Sequence, residues 1–229
     1  MKKFVFFVIF FFNEFSYSED NSVIALMYHR FDEPKYQSTS ISSELFEEHL
    51  KLIKENGFNV LNLTDFLDIL INKKKIPKKT ILITVDDAFR SFYNFAFPLL
   101  KKYNFPFSVF VSTASVSKDE NSDFMSWEML KEIQKHKGMV LNHTVDHISL
   151  VGLSDKMIID QVTKASNEIK LKLGIDNPKV FSYPYGESSE RVERILEGLG
   201  ILAAFSQHSA PLNHDDSLYR LPRFSLNNE

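Results

Sequence analysis

The chain has 229 residues, enough for one large domain, with a formal net charge of −3, 44% hydrophobic residues and 25% charged residues. This balance excludes a disordered chain and gives no basic surface of the kind that nucleic acid partners require. The absence of cysteine excludes disulfide bonds, thiolate metal ligands and a cysteine nucleophile.

The first residues have the pattern of a secretory signal. Two lysines precede nine consecutive apolar residues, 4–12, and small residues follow at Ser16 and Ser18. The apolar run is shorter than the ~20 residues that span a bilayer. We therefore expect residues 1–18 to be a signal peptide and residues 19–229 to form one exported domain, periplasmic or extracellular, with no transmembrane span after cleavage. A buried first strand or an uncleaved anchor is the alternative.

Short apolar runs alternate with amphipathic stretches along the rest of the chain. The predicted strands cover residues 23–28, 58–61, 80–85, 107–111, 139–141, 179–183 and 201–205. The predicted helices cover residues 43–56, 64–75, 90–103, 126–135, 154–174 and 189–199, with Thr64 as the expected N-cap of the second. Such βα units give a parallel sheet with helices outside. About seven units favour an α/β fold with a closed or nearly closed TIM-like barrel, and a doubly wound sheet is the alternative.

In both architectures ligands bind at the C-terminal ends of the strands. The clearest strand, residues 80–85, runs directly into Asp86 and Asp87. Two adjacent carboxylates repel each other, and partial burial disfavours their ionisation, so a bound cation would relieve one of them. The alternative is a helix N-cap, a position that aspartate suits.

Two histidines follow another predicted strand end. His143 and His147 are four residues apart, so both rings can face one point, and imidazole is a good ligand for zinc and similar metals. One carboxylate with two imidazoles leaves open positions for water and substrate, as catalytic metal sites require. A surface histidine pair is the alternative.

A tight loop, residues 181–186, ends the next strand. Pro184 and Gly186 restrict its backbone, so it can aim an N–H group at a developing oxyanion and present a tyrosine ring. An ordinary turn between strand and helix is the alternative.

Together these segments resemble the polysaccharide deacetylase (NodB-homology, carbohydrate esterase family 4-like) family. Residues 84–88 look like its T-F-D-D-G motif, residues 143–147 look like its H-[ST]-x-x-x-H-type metal motif, and residues 181–186 look like its P-Y-G loop. Residues 27–29 and 125–127 also match. The resemblance covers residues 22–224.

The resemblance implies a distorted (β/α)7 barrel that removes acetyl groups from N-acetylated sugars. It implies that Asp87, His143 and His147 bind a divalent metal, with zinc expected, and that Asp86 is the base that deprotonates water. The backbone N–H of Tyr185 would then hold the oxyanion. The loop and the tyrosine–histidine end of the first strand most resemble deacetylases that act on exported or biofilm polysaccharides. Chitin-like oligosaccharides and peptidoglycan glycan are the alternative substrates.

Several side chains near these motifs are expected to contact the glycan. Rings at Tyr28, Trp127, Tyr183 and Tyr185 suit stacking on sugars, and core packing is the alternative for each of them. The predicted substrate-binding set is Tyr28, His29, Trp127, Tyr183 and Pro184.

The sequence departs from the family pattern at three places. In the first motif Val85 replaces a phenylalanine and Ala88 replaces a glycine, and the alanine is expected to be tolerated only if its φ is negative. Ser182 replaces an arginine that orients the base; the candidates to replace it are Arg30, Arg90, Arg220 and Arg223, of which we favour Arg223.

The third departure is the missing L-x-H motif of the general acid. His208 and His214 are the candidates, with a surface loop as the alternative for each, and His208 is included in the predicted catalytic set. The alternative functions are a glycan-binding barrel without turnover and a metal-dependent amidase that cleaves another carbon–nitrogen bond. The oligomeric state does not follow from the sequence.

Overall fold

The computed structural model describes residues 22–117, 119, 121–174 and 179–228. The predicted signal peptide, residues 1–18, lies outside the described residues. Within the described part of the chain, no helix combines the length and apolar character needed to cross a membrane.

The seven predicted strands and six predicted helices occur in the predicted order, and three further short strands accompany them. The bounds differ by up to four residues when the π-helical turn Phe92–Ala96 is counted with the third helix. The strands are β1 Val23–Tyr28, β2 Arg30–Phe31, β3 Ser40–Ile41, β4 Asn59–Val60, β5 Thr80–Val85, β6 Phe107–Val111, β7 Gly138–Asn142, β8 Val180–Ser182, β9 Ala203–Phe205 and β10 Phe224–Ser225. The α-helices are α1 Ser43–Glu55, α2 Leu63–Ile71, α3 Phe97–Tyr103, α4 Trp127–Lys135, α5 Asp155–Leu173 and α6 Glu190–Gly198.

The main sheet is parallel throughout and curls into a half-barrel. Its strand order is β10-β1-β5-β6-β7-β8-β9, with β4 paired to β5, while β2 and β3 form a separate pair. Leu221 pairs with Phe205 of β9, and Phe224 pairs with Leu26 of β1. The chain from 221 to 225, here called the closing segment, therefore joins the two edges of the sheet and completes a distorted barrel.

The strands and helices follow from their apolar patterns. All six residues of β5 are buried, as expected for a strand covered on both faces. The long helix α5 buries the stripe of Ile158, Val162, Ala165, Ile169 and Leu173 and ends at Gly174 in the left-handed region. These packed layers hold the C-terminal ends of the strands at one rim.

Two local predictions differ from the structure. Thr64 is not the N-cap, because α2 begins at the buried Leu63; the N-cap is Asn62, two residues earlier, whose side chain accepts from the Asp65 N–H. The predicted helix 90–103 contains a π-helical turn at Phe92–Ala96, in which the Phe97 N–H bonds to the Phe92 carbonyl before α3 continues. Pro98 lies next to this turn and has no N–H to continue a regular helix from residue 94.

Candidate functional site

The end of β5 has an unusual backbone. Asp87 and Ala88 both adopt positive φ, 69° and 57°. The expectation that Ala88 needs a negative φ is therefore wrong: the turn keeps its left-handed conformation although a methyl group replaces the glycine hydrogen. Such strain costs about 1–3 kcal/mol per residue and persists where the surroundings fix the conformation. The turn sends the side chains of Asp86 and Asp87 into different surroundings.

Asp86 is fully buried and paired with Arg223, whose side chain is also fully buried. Arg223 Nη1 lies 2.8 Å from Oδ1 of Asp86, and Nη2 lies 2.7 Å from Oδ2, so the contact is bidentate. Of the four candidate arginines, Arg223 is thus the one that contacts Asp86, and the closing segment brings it there. A buried ion pair of this geometry fixes the carboxylate in one orientation.

Ser182 and Thr84 complete the surroundings of this pair. Ser182 Oγ donates to Oδ2 of Asp86 at 3.0 Å and accepts from Arg223 Nη2 at 2.8 Å. Thr84 Oγ1 accepts from Arg223 Nη1 at 3.2 Å and donates to the Leu26 carbonyl. Burial alone would raise the pKa of Asp86, but the Arg223 charge holds that pKa below its usual value. Asp86 is therefore an ionised carboxylate in a dry environment.

The other three candidate arginines have different partners. Arg30 lies between the rings of Tyr36 and Phe89 and pairs with Glu33. Arg90 donates to main-chain carbonyls of residues 119 and 122, and Arg220 pairs with Glu193. Each is held away from Asp86 by its own contacts.

Asp87 faces two imidazoles. Its Oδ1 lies 3.4 Å from Nε2 of His143 and 3.0 Å from Nε2 of His147, and the three potential ligand atoms lie within 4.8 Å of one another. Burial would raise the pKa of Asp87, but the two histidines hold it below its usual value. The three predicted metal ligands are therefore together, at the rim where β5 and β7 end.

This donor set suits a divalent cation. His143 Nδ1 lies 2.7 Å from the Ser182 carbonyl, which only accepts, so Nδ1 carries a proton and Nε2 is the ring atom that faces Oδ1 of Asp87. That oxygen is buried and has no hydrogen-bond partner among the described residues, although two imidazole nitrogens lie close to it. A divalent cation bound among these three atoms would satisfy all of them. The residues thus fit a metal with nitrogen and oxygen ligands.

The loop that carries the histidines is fixed from two sides. The Asn142 amide donates to α5 at the Val162 carbonyl and at Ser166 Oγ, while its oxygen accepts from the Thr144 N–H. Gln161 Oε1 accepts from two successive backbone N–H groups, those of Val145 and Asp146, at 3.0 Å each. These contacts hold the loop in a conformation with positive φ at Thr144 and His147.

The loop after β8 lies against the histidines. Pro184 is buried, while Tyr185 is 58% exposed, has φ 61° and places its ring 4.8 Å from the His147 ring. Gly186 packs so closely on Gln207 that a Cβ there would lie 2.5 Å from the Gln207 side chain. The loop after β8 and the segment after β9 therefore form one continuous wall beside the candidate metal site.

A cavity of about 390 Å³ lies along this wall, within the size range of small-molecule sites. It is lined by Gly186, Ser188, Ser206, His208 and Arg220. Of the two candidate acids, the exposed His208 lies in this cavity. His214 instead bonds to the Lys74 carbonyl, near the start of β5, which is the opposite end of the barrel from Asp86.

Burial contradicts part of the predicted substrate-binding set. Tyr28 and Tyr183 are fully buried, and Trp127 is 7% exposed and packs in the core at the start of α4. No free ring face remains on these side chains for a sugar, because neighbouring strands and helices cover them. His29 is also buried, with Nδ1 unpartnered among the described residues, and burial lowers its pKa despite the nearby charges of Asp86 and Asp87.

The family model for polysaccharide deacetylases matches residues 73–204, more than half of the chain. The chain belongs to the polysaccharide deacetylase family. A poly-beta-1,6-N-acetyl-D-glucosamine N-deacetylase of Staphylococcus aureus is 27% identical over 92% of this chain and 81% of that protein.

Solved structures of this family have the same fold. The Streptococcus pyogenes deacetylase PplD in complex with acetate superposes with a TM-score of 0.83 at 22% identity, covering 90% of this chain and 92% of that one. IcaB from Ammonifex degensii gives a TM-score of 0.81 at 26% identity, covering 92% and 94%. The predicted barrel and family are confirmed, and the family's relatives are hydrolases that act on carbon–nitrogen bonds.

The contacts of three polar residues around the candidate site are not indicated by any local sequence pattern. Thr84 lies within the apolar strand β5 and Ser206 directly follows β9; both contact Arg223, Ser206 through its backbone carbonyl. Gln161 lies on the polar face of α5. From the helical pattern alone, the Gln161 side chain is predicted to face solvent. Each contact joins residues far apart in the chain, so no local spacing indicates it.

Proposed function

We propose that this deacetylase-family chain removes acetyl groups from N-acetylated polysaccharide at the rim formed by β5, β7 and β8. The observation that carries the proposal is the convergence of Asp87, His143 and His147 beside the separate, ionised Asp86. Similarity to the Staphylococcus aureus enzyme supports a polymer of β-1,6-linked N-acetylglucosamine as the substrate class. A periplasmic or extracellular location follows from the predicted signal peptide and from the exported nature of such polymers.

Asp87, His143 and His147 would hold the divalent cation, with zinc proposed from the nitrogen and oxygen ligands. Such a cation supplies Lewis-acid polarisation of the amide carbonyl and lowers the pKa of water from ~15.7 to ~7. Ser182 contacts both parts of the site, because its carbonyl accepts from the His143 ring and its hydroxyl donates to Asp86. It therefore fixes the position of the metal-ligand cluster relative to Asp86.

Asp86 takes the proton from the water that attacks the acetyl carbonyl. Its bidentate contact with Arg223 keeps it ionised and oriented before the reaction, so no reorganisation is needed at that step. The backbone N–H of Tyr185 is proposed to stabilise the oxyanion, since the adjacent ring contacts His147. Removing one donor of this kind costs about 2.7–4 kcal/mol in comparable enzymes.

His208 is proposed to protonate the leaving amine. As the carbon–nitrogen bond breaks, the nitrogen takes the proton from Nε2 of the imidazolium, which becomes neutral imidazole, and acetate and a free amine result. The cavity that contains His208 continues from the wall formed by Tyr185 and Gly186, so it can hold the sugar whose nitrogen is released.

The test pairs metal analysis of the purified protein with an acetate-release assay on a panel of glycans. The panel contains oligomers of β-1,6- and β-1,4-linked N-acetylglucosamine and peptidoglycan fragments. We expect about one divalent cation per chain, with zinc retained, and acetate release that is fastest on the β-1,6 oligomers.

The other outcomes separate the alternatives. Tight binding of the oligomers with bound metal but no acetate would indicate a glycan-binding barrel. Turnover of a small amide without activity on glycans would indicate another amidase. A protein without metal after purification and reconstitution would contradict the proposed ligand set.

A further inference from the structure

Ser206 follows β9 directly and is the one buried hydroxyl among the described residues that line the 390 Å³ cavity. Its backbone N–H donates to the Leu221 carbonyl at 2.9 Å, which ties it to the closing segment. Its Oγ lies 2.6 Å from Nδ1 of His208 and 3.2 Å from the same Leu221 carbonyl. No motif of the sequence indicates a role for this residue.

The two contacts of the hydroxyl fix the direction of the hydrogen bonds when His208 is protonated. Both ring nitrogens of an imidazolium are donors, so Nδ1–H must donate to Ser206 Oγ. The single hydroxyl proton of Ser206 then goes to the Leu221 carbonyl, which only accepts. After Nε2 gives up its proton, Nδ1–H keeps the same partner, and neither side chain needs to rotate.

The backbone around this contact is held by Arg223. Arg223 Nε donates to the Ser206 carbonyl at 3.0 Å, and the Arg223 backbone N–H donates to the His208 carbonyl at 3.0 Å. The same guanidinium makes the bidentate contact with Asp86. The residue that fixes the proposed base therefore also fixes the segment that carries His208.

His208 Nε2 has no hydrogen-bond partner within the part of the chain that the structure describes, and the ring lines the open cavity. The neighbouring cation, Arg220, is engaged by Glu193 through Nε at 3.0 Å and Nη2 at 2.5 Å. Nε2 is thus the ring atom that is available to exchange a proton with a molecule bound in the cavity.

We propose that Ser206 is a positioning residue that orients the His208 ring so that Nε2 transfers a proton to the leaving amine. This inference rests on the proposed deacetylase function and adds to it a residue that acts through His208. It predicts that loss of the Ser206 hydroxyl lowers kcat on substrates whose leaving group must be protonated. Substrates whose leaving group departs as a stable anion should be hydrolysed at nearly the same rate.

The test compares two substrates in Ser206→Ala, Ser206→Thr and His208→Ala. An N-acetylglucosamine oligomer releases an amine, which must be protonated, whereas 4-nitrophenyl acetate releases a stabilised phenolate. We expect Ser206→Ala to lower kcat on the oligomer roughly tenfold with KM changed less than about twofold, and to leave ester hydrolysis within about twofold. Ser206→Thr keeps the hydroxyl and should restore most of the oligomer activity.

Ser209→Ala is the matched control, since Ser209 is an exposed serine next to His208. His208→Ala tests the underlying assignment separately. If His208→Ala reduces both substrates equally, the proposed acid is wrong; if it selectively reduces oligomer turnover but Ser206→Ala does not, only the positioning role is overturned. Equal loss on both substrates in Ser206→Ala, with a lowered melting temperature, would also overturn that role and leave Ser206 a structural residue.

Discussion

Asp86 and Asp87 are adjacent in the chain, but the structure gives their carboxylates opposite surroundings. Asp86 has a permanent counterion in Arg223, with all close partners supplied by the protein. Asp87 is partly exposed and has no cationic side chain of this kind; its Oδ1 faces the Nε2 atoms of His143 and His147 and has no hydrogen-bond partner among the described residues. The positive φ at Asp87 and Ala88 separates the two side chains. One strand end thus places two adjacent carboxylates in different surroundings, which suits the roles proposed for them: a fixed base for Asp86 and a metal ligand for Asp87.

The largest effect on metal content and activity is expected from substitution of Asp87, a member of the proposed ligand set. Asp87→Asn removes the one negative charge of the proposed ligand set, so the protein should lose its metal and its acetate release should fall by at least about 10³-fold, in line with several kcal/mol of transition-state stabilisation. Metal content after dialysis and the acetate assay measure both. A variant that keeps one bound cation and near-normal activity would contradict the ligand assignment.

Asp86→Asn should distinguish the role of Asp86 from that of Asp87. The variant is expected to retain the metal, because Asp86 lies outside the three-ligand cluster, but to lose about 10²–10⁴-fold in kcat. The same two measurements apply. Full activity would rule out Asp86 as the base, and loss of the metal would show that the two sides are not independent.

Arg223→Met tests the permanent counterion. Removing one partner of a buried pair leaves an uncompensated charge, so the free energy of unfolding should fall by about 3–5 kcal/mol. Urea denaturation measures it. The double variant Asp86→Asn with Arg223→Met removes both charges and should recover part of the loss; no recovery would mean that Arg223 acts mainly by packing in the closing segment.

Gln161→Ala should affect only the Asp87 side. Without its contacts to the Val145 and Asp146 N–H groups, the loop that carries His147 loses its support from α5. Metal affinity is expected to fall about 10–100-fold, as for other residues that orient ligands, and competition with a chelator measures this. Lys164→Ala, an exposed change on the same helix, is the control. Equal affinities in the two variants would exclude this support role.

The smallest effect on stability is expected from substitution of Ala88, in the turn that follows Asp86 and Asp87. Ala88→Gly relieves the left-handed strain but removes a buried methyl group and adds chain entropy to the unfolded state. These effects oppose each other, so the free energy of unfolding should change by less than about 1 kcal/mol, with metal affinity unchanged. A loss of more than about 2 kcal/mol in denaturation would show that the methyl group is required for packing.

Much of this arrangement follows from local patterns. The apolar run of β5, the stripe of α5 and the strand-end positions of Asp87, His143 and His147 each occupy a short stretch of sequence, so pattern and spacing predict them. The sequence offers four candidate arginines, and the contact of Arg223 with Asp86 depends on tertiary structure. Leu221 pairs with β9 and Phe224 pairs with β1, and these two pairings bring Arg223 to Asp86.

The wrong predictions depend on tertiary context. Tyr28, Tyr183 and Trp127 carry rings that suit a sugar, but their burial is decided by the elements that pack on them. The φ of Ala88 is set by the turn and its neighbours rather than by the preference of alanine. The contacts of Gln161 and Ser206 join separate elements, which no single segment of sequence contains.

The closing segment also has a consequence for biosynthesis. Asp86 and the arginine that neutralises it are 137 positions apart, so the ribosome must add all of those residues before the carboxylate obtains its partner. A nascent barrel that lacks the closing segment carries an unpaired acid in its interior, which disfavours compaction. Pairing with Arg223 therefore couples the burial of Asp86 to completion of the barrel, and chains that end before residue 223 are expected to fold less readily.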